Sequence, residues 1–509
     1  MESIQHLGGG FLVALQPMNL LVAFLGAFLG TIIGLLPGLG PINGVAILMP
    51  LAFAMGLPAE TSLILLATVF LGCEYGGRIS SILLNVPGDA GAIMTAMDGH
   101  PMAKNGLAGV ALSISAWASF VGSFIAVIGM TLFAPLLAGW ALSFGPAEYF
   151  VLMVFAFSCL FSMVGTNPVK TLLAALIGLA LATVGIDSGT GVYRFTLGDV
   201  HLSDGIQFIV VVIGLFSVSE MLLMLEHTHA GGKVLAVTGR TLFNLKEMAM
   251  TGWTTVRSGI IGFFIGTLPG AGATIASAIC YMMAKRIHDK EGTFGKGDIR
   301  GVAAPEAANN ASAGGSFVPM LTLGVPGSGT TAVMMGALTL YNITPGPLLF
   351  EQQPDLVWGL IAALFIGNVM LLIMNIPMIG LFVKMLSIPI WILVPAIAAL
   401  SFVGVYAVHA STFDLLLCVG IGVFAYFLRK LDFPMAPLIL GFVLANLMEQ
   451  NLRRAMALSD GNIGILFSSP IAIFLWICTA LVLLAPLLMH LWSRRARARG
   501  PVPAHDELE

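Results

Sequence analysis

The stretch I-G-L-L-P-G-L-G at residues 33–40 is nearly repeated by I-G-T-L-P-G-A-G at 265–272. Pro269 follows Pro37 by 232 positions, close to half of the 509 residues. A second motif recurs in the same order, N-V-P-G-D-A-G at 85–91 and G-V-P-G-S-G at 324–329, with Pro87 and Pro326 separated by 239 positions. Two similar offsets in one order indicate a duplicated half. In a membrane chain, Gly/Pro-interrupted apolar segments at matching places in two halves are the best sequence pointer to a transporter's substrate site.

Composition supplies the membrane. The chain is 58% hydrophobic and 9% charged, with a mean hydropathy of +0.98; soluble domains carry about 25% charged residues. No Asp, Glu, Lys or Arg occurs between Glu2 and Glu60, between Lys104 and Glu148, or between Glu306 and Glu351. At roughly 20 apolar residues per spanning helix, the expected fold is an all-α polytopic membrane protein with about 10–13 membrane segments, some of them half-spans. Residues 1–30 lack the basic region of a cleaved signal peptide, so they read as the first membrane segment. The five cysteines stand singly, which suggests neither a disulfide framework nor a zinc site. No basic and aromatic patch points to nucleic acid. G-x-S-x-G, Walker A and H-E-x-x-H motifs are absent, so ATP-driven transport and familiar hydrolase chemistry have no support. His227 and His229 form an H-T-H without a third ligand nearby and read as a solvated loop.

Loop charge orients the halves. Lys233, Arg240, Lys246 and Arg257 precede the second L-P-G-x-G, and Lys285, Arg286, Lys290, Lys296 and Arg300 follow it. Cytoplasmic loops are enriched in Lys and Arg, so both ends of 258–284 read as cytoplasmic and the segment as a hairpin rather than a crossing. The first-half counterpart has no Lys or Arg in its flanks, 1–20 and 54–60. Opposite charge bias at matching positions is the mark of inverted-topology repeats. The expected organisation is a first repeat at 1–225, an amphipathic connecting segment at 226–257 and a second repeat at 258–463. An extra C-terminal transmembrane helix at 464–492 and a mobile cytoplasmic tail at 493–509 complete it, with the N-terminus outside. Residues 186–204 read as a polar loop.

Breaks in apolar helices free backbone groups, which must then lie inside protein or line a cavity. A half-helix N-terminus presents free N–H groups and a partial positive charge, a ready anion site, and glycine lets a ligand approach closely. Carbonyls at unwound turns can hold Na⁺. The expected substrate site comprises Pro37, Gly38, Gly40, Asn43, Arg78, Ser81, Asn85 and Gly88 from the first half, and Pro269, Gly270, Gly272, Ser328, Gly329 and Thr330 from the second. The expected coupling-ion residues are Asp89, Asn309, Asn310, Ser312 and Thr331. Arg78 lies just after an uncharged run, where a charge marks function by default; the blander reading pairs it with Glu74 at i, i+4. Asp89 reads equally as a Na⁺ ligand, a proton site or a half-helix cap. Glu306 reads as an ion ligand or, with Arg300 nearby, as an interfacial residue.

These segments resemble the large membrane subunit of the tripartite tricarboxylate transporters, the TctA family. The likeness is carried by G-T-I-I-G-L-L-P-G-L-G-P at 30–41, E-Y-G-G-R-I-S-S-I-L-L-N-V-P-G-D-A-G at 74–91, D-G-H-P-M-A-K-N-G at 98–106 and G-L-F-S-V-S-E at 214–220. G-T-L-P-G-A-G-A at 266–273, A-P-E-A-A-N-N-A-S-A-G-G at 304–315 and T-L-G-V-P-G-S-G-T-T-A at 322–332 continue it. The resemblance implies a multi-pass subunit of the bacterial inner membrane, in contact with lipid and without a cofactor. It implies transport of tricarboxylates such as citrate, or related carboxylates, driven by a Na⁺ or proton gradient. It further implies two partners, a small four-helix membrane subunit (TctB-like) and a periplasmic solute-binding protein (TctC-like). The rival expectation is an uncoupled anion channel or an intramembrane enzyme. Hairpins carrying the site suggest an elevator-like motion.

Overall fold

The computed structural model describes residues 2–163, 167–187, 189–226, 235, 240–270, 272–386 and 388–498. Its first half runs α1 Glu2–Ala14, α2 Pro17–Leu35, α3 Gly40–Ala54, α4 Ala59–Leu84, α5 Ile93–Met102, α6 Ala108–Ala141, α7 Pro146–Met163 and α8 Pro168–Ala182. A two-stranded antiparallel ribbon follows, β1 Gly185–Ile186 and β2 Tyr193–Arg194, then α9 Phe208–Val212, a π-helical turn Ile213–Val218 and α10 Ser219–Glu226. The second half runs α11 Leu245–Gly266, α12 Gly272–His288, α13 Ile299–Gly315, α14 Phe317–Leu323, α15 Gly329–Leu340 and α16 Leu349–Gln352. It continues with α17 Pro354–Asn375, α18 Ile379–Met385, α19 Ile390–His409, α20 Thr412–Lys430, α21 Met435–Leu458 and α22 Pro470–Ala498. The protein is therefore an all-α polytopic membrane protein. Among the described residues eight helical spans are long and apolar enough to cross a bilayer, and five shorter apolar helices accompany them.

The motifs produce two kinds of break, each used twice. The L-P-G-x-G segments are hairpin tips. α11 and α12 fold back on each other, with Thr254 Oγ1 3.4 Å from His288 Nε2 and Cys280 Sγ reaching the Ser258 carbonyl. α2 and α3 fold likewise; a methyl placed on Gly44 would sit 3.4 Å from the Ile33 side chain. Both glycines of each tip have positive φ: Gly38 +88° and Gly40 +55°, Gly270 +78° and Gly272 +63°. The V-P-G segments are step-backs. Helices α4 and α14 end on left-handed residues, Asn85 and Gly324, and the chain then doubles back along its own helix. A Cβ on Gly88 would lie 2.6 Å from Gly77 Cα, and one on Gly327 2.7 Å from Ser316 Cα. A cap restarts each chain: Asp89 accepts from Gly91 N, and Ser328 forms a capping box with Thr331.

Glycines at the 232-residue offset, meeting partners at the 239-residue offset, pack hairpin against broken helix. A Cβ on Gly30 or Gly34 would meet the Val69 and Cys73 carbonyl oxygens at 2.3 and 2.1 Å. At Gly262 and Gly266 the Ala308 and Ser312 carbonyls stand at 2.4 and 2.2 Å. This is the small-xxx-small contact that lets membrane helices touch backbone to backbone. The halves also brace each other. α6 lies on α13, where Ser119 bonds Glu306, and α17 lies on α4, where Tyr75 donates to Asn368 Oδ1 at 2.7 Å.

Several boundaries differ from the expectation. The end of the expected 226–257 connector and the first hairpin arm are one helix, α11, because the Asn244–Glu247 capping box starts it and nothing breaks it at 257. The uncharged stretch between Lys104 and Glu148, by contrast, holds one long helix as its apolar run allows, the 34-residue α6. The last helix, expected at 464–492, runs Pro470–Ala498 behind a short 3₁₀ turn. His227, His229 and residues 499–509 of the expected tail lie outside the described residues.

Candidate functional site

The four breaks meet at one cavity of about 550 Å³. Its wall contains Gly38–Asn43 from the first hairpin, Gly88–Gly91 from the first step-back, Gly270 and Gly272–Thr274 from the second hairpin, and Ser328–Thr330 from the second step-back. Three helices, α3, α12 and α15, thus begin at the cavity with free N–H groups and the positive ends of their dipoles. Of the residues expected from the sequence, Gly38, Gly40, Asn43, Gly88, Asp89, Gly270, Gly272, Ser312, Ser328, Gly329 and Thr330 line it.

The others do not, for visible reasons. Arg78 is buried behind the wall with its donors taken. Its Nε bonds the Tyr75 carbonyl, Nη1 bonds the Leu112 carbonyl and Ser115, and Nη2 bonds Asn375 Oδ1 at 3.0 Å. It forms no ion pair with Glu74; its work is to tie α4 to α6 and α17. Ser81 returns its hydroxyl to the Gly77 carbonyl of its own helix. Asn85 is the exposed left-handed cap, Pro37 is exposed, Pro269 is buried beside the tip, and Thr331 spends its hydroxyl in the capping box. Asn309 and Asn310 stand on α13 one layer behind the wall: Asn309 Nδ2 donates to Glu74 Oε2 at 2.7 Å, and Asn310 Nδ2 to the Glu306 carbonyl. Glu306 is not interfacial. It is fully buried and accepts from Thr95 and Ser119 at 2.6 and 2.9 Å. Asp89 proves to be a cap, but only with Oδ2.

Four buried amide or carboxylate oxygens have no hydrogen-bond donor among the described residues: Asn43 Oδ1, Asp89 Oδ1, Asn309 Oδ1 and Asn310 Oδ1. Buried polar atoms are normally satisfied, so such acceptors need an explanation. The side chains of two of them, Asp89 and Asn309, are close in space. A Cβ on Gly91 would lie 2.0 Å from Asn309 Oδ1 and 2.9 Å from Asp89 Oδ2, and Glu74, which Asn309 holds, lines the cavity beside them. Neutral and anionic oxygens with no donors suit a hard cation.

Sequence reasoning missed two wall residues with charge. Glu74 was read only as a neutralising partner. Arg429, in the last turn of α20, sits where the apolar run 412–428 stops, and the following Lys430 makes it look like an ordinary membrane boundary.

An all-α membrane protein whose paired broken helices line one cavity has the build of a membrane transporter. The chain belongs to the tripartite tricarboxylate transporter TctA family, whose profile it matches over residues 20–440. It is 40% identical over 474 residues, 93% of this chain and 94% of the relative, to an uncharacterized 52.8 kDa protein in the TAR-I ttuC′ 3′ region of Agrobacterium vitis. It is 44% identical over 227 residues, 44% of this chain and 94% of the relative, to an uncharacterized protein in the TAR-II ttuC′ 3′ region of the same organism. No solved structure matches the chain. The family's transporters are tripartite, so the chain is a membrane component that works with other subunits.

Proposed function

We propose that this chain is the transmembrane subunit of a binding-protein-dependent secondary transporter in the bacterial inner membrane. It imports tricarboxylates such as citrate, or related carboxylates, in symport with Na⁺ or protons. Its partners are a small four-helix membrane subunit and a periplasmic solute-binding protein. The observation that carries this reading is the convergence of all four breaks on one cavity. The N-termini of α12 and α15 and the wall residues Ser328, Gly329 and Thr330 take carboxylate oxygens. The unpartnered oxygens of Asp89 and Asn309, with Glu74, take the cation. The two halves face opposite ways, on the evidence of their loop charge, and the hairpins move the cavity across the bilayer as a unit.

The test is uptake of radiolabelled citrate and of four-carbon dicarboxylates into proteoliposomes holding this chain and its small partner, with the binding protein outside. An inward Na⁺ or proton gradient drives accumulation. Uptake that needs ATP, or that merely equilibrates at channel-like rates, rejects the reading.

A further inference from the structure

Arg429 is the one basic side chain among the described residues that line the cavity. It comes from outside the four breaks. The last turn of α20 holds it at a favourable helix end, and Phe216 and Phe433 stand with it in the wall. Its guanidinium is only partly used. Nη1 donates to Glu220 Oε2, and Nη2 makes a long 3.4 Å bond to the Leu215 carbonyl within the π-helical turn Ile213–Val218. Nε is shielded from solvent and has no acceptor among the described residues. The Nε/Nη2 edge is the fork that holds a carboxylate through two parallel bonds. The Arg429–Glu220 pair also reaches the first hairpin tip, since a Cβ on Gly38 would lie 2.9 Å from Glu220 Oε1. π-helical turns of this kind concentrate at functional sites.

We propose that Arg429 is a specificity residue that grips a second carboxylate of the substrate, so that the cavity selects acids with two or more carboxylates over monocarboxylates. This rests on the carboxylate reading above. One carboxylate lies at the helix N-termini and the other at the Nε/Nη2 edge of the guanidinium, where it displaces the long bond to the Leu215 carbonyl. Glu220 holds Arg429 in place and competes with the substrate for it.

The experiment compares acetate, succinate and citrate binding to the purified full-length chain in detergent, by calorimetry and by the rise in Tm. Wild type binds succinate or citrate far more tightly than acetate. Arg429→Gln weakens the multivalent acids about 10–100-fold, the worth of charge-assisted hydrogen bonds, and leaves acetate nearly unchanged. Arg429→Lys, which keeps the charge but not the fork, falls between. Glu220→Gln enlarges the Tm rise produced by succinate or citrate. A merely structural Arg429 would weaken all three acids together, so an unchanged affinity ratio in Arg429→Gln overturns the inference. If that variant does not survive purification, Arg429→Lys decides alone, and a wild-type ratio in it overturns the inference. Wild type that binds none of the three overturns the carboxylate reading itself.

Discussion

The breaks of the first and second halves share a backbone pattern and differ in the charges around them. Positions 38, 40, 85 and 89 have the same conformations as 270, 272, 324 and 328. The glycine contacts at 30 and 34 recur at 262 and 266. At the 239-residue offset, however, Glu74 faces Ala313, Arg78 faces Phe317 and Asp89 faces Ser328. The acid at the first cap cancels the positive potential of its own turn and leaves an unpartnered oxygen, whereas the serine at the second leaves the potential of α15 intact. On the function proposed above, one repeated pattern of breaks serves a cation on one side of the cavity and an anion on the other.

The largest effect probes the shared backbone. Gly34→Leu and Gly266→Leu each push a side chain into a carbonyl oxygen 2.1–2.2 Å from the new Cβ, and each costs about 3 kcal/mol or more through overpacking. Both variants lose folded protein in size-exclusion profiles; tolerance in one half alone would show that the halves do not pack alike. Next comes Arg78→Phe, which gives the first half the residue of the second. It leaves the Leu112 carbonyl and Asn375 Oδ1 without that donor, at about 2–3 kcal/mol by the usual penalty for such groups. Tm falls while substrate Kd of the folded fraction stays constant. A changed Kd at unchanged Tm would return Arg78 to the binding site.

The exchange of caps is subtler. Ser328→Asp preserves α15, because Asp caps as well as Ser, but its charge repels the substrate and weakens binding about tenfold, the scale of a 1.4 kcal/mol helix-end effect. Asp89→Ser keeps its turn and loses the dependence of uptake on the cation gradient. Retained coupling would remove Asp89 from the cation site. The smallest effect is Gly272→Ala. At φ +63° with open space around the new methyl, only backbone strain of about 1 kcal/mol is added, and Gly272→Asn recovers part of it in thermal unfolding.

Much of this was legible in the sequence because Gly and Pro punctuate a chain whatever surrounds them. The duplicated motifs located all four breaks, and eleven of the nineteen expected site residues line the cavity. The misses share a cause. Arg78, Ser81 and Asn85 lie near a break in sequence, but a helix turns 100° per residue and carries them away from it. Whether a polar residue faces the cavity or a neighbouring helix is decided by partners as distant as Asn375. Arg429 was invisible for the opposite reason: it enters from a helix with no motif of its own. The glycine pair at 30 and 34 did recur at the 232-residue offset, and that signal could have been found by comparing the halves position by position.

The step-backs have one further consequence. Part of the cavity wall is main chain, and a peptide N–H cannot be altered by substitution. If the cavity holds carboxylates as proposed, a chain that keeps its Pro and Gly punctuation keeps this part of the grip, while Arg429, Phe216 and Phe433 contribute through side chains that substitution can change. Changes of cargo among relatives should therefore be recorded in the side chains of the π-helical turn and the end of α20, with the motifs themselves silent about what is carried.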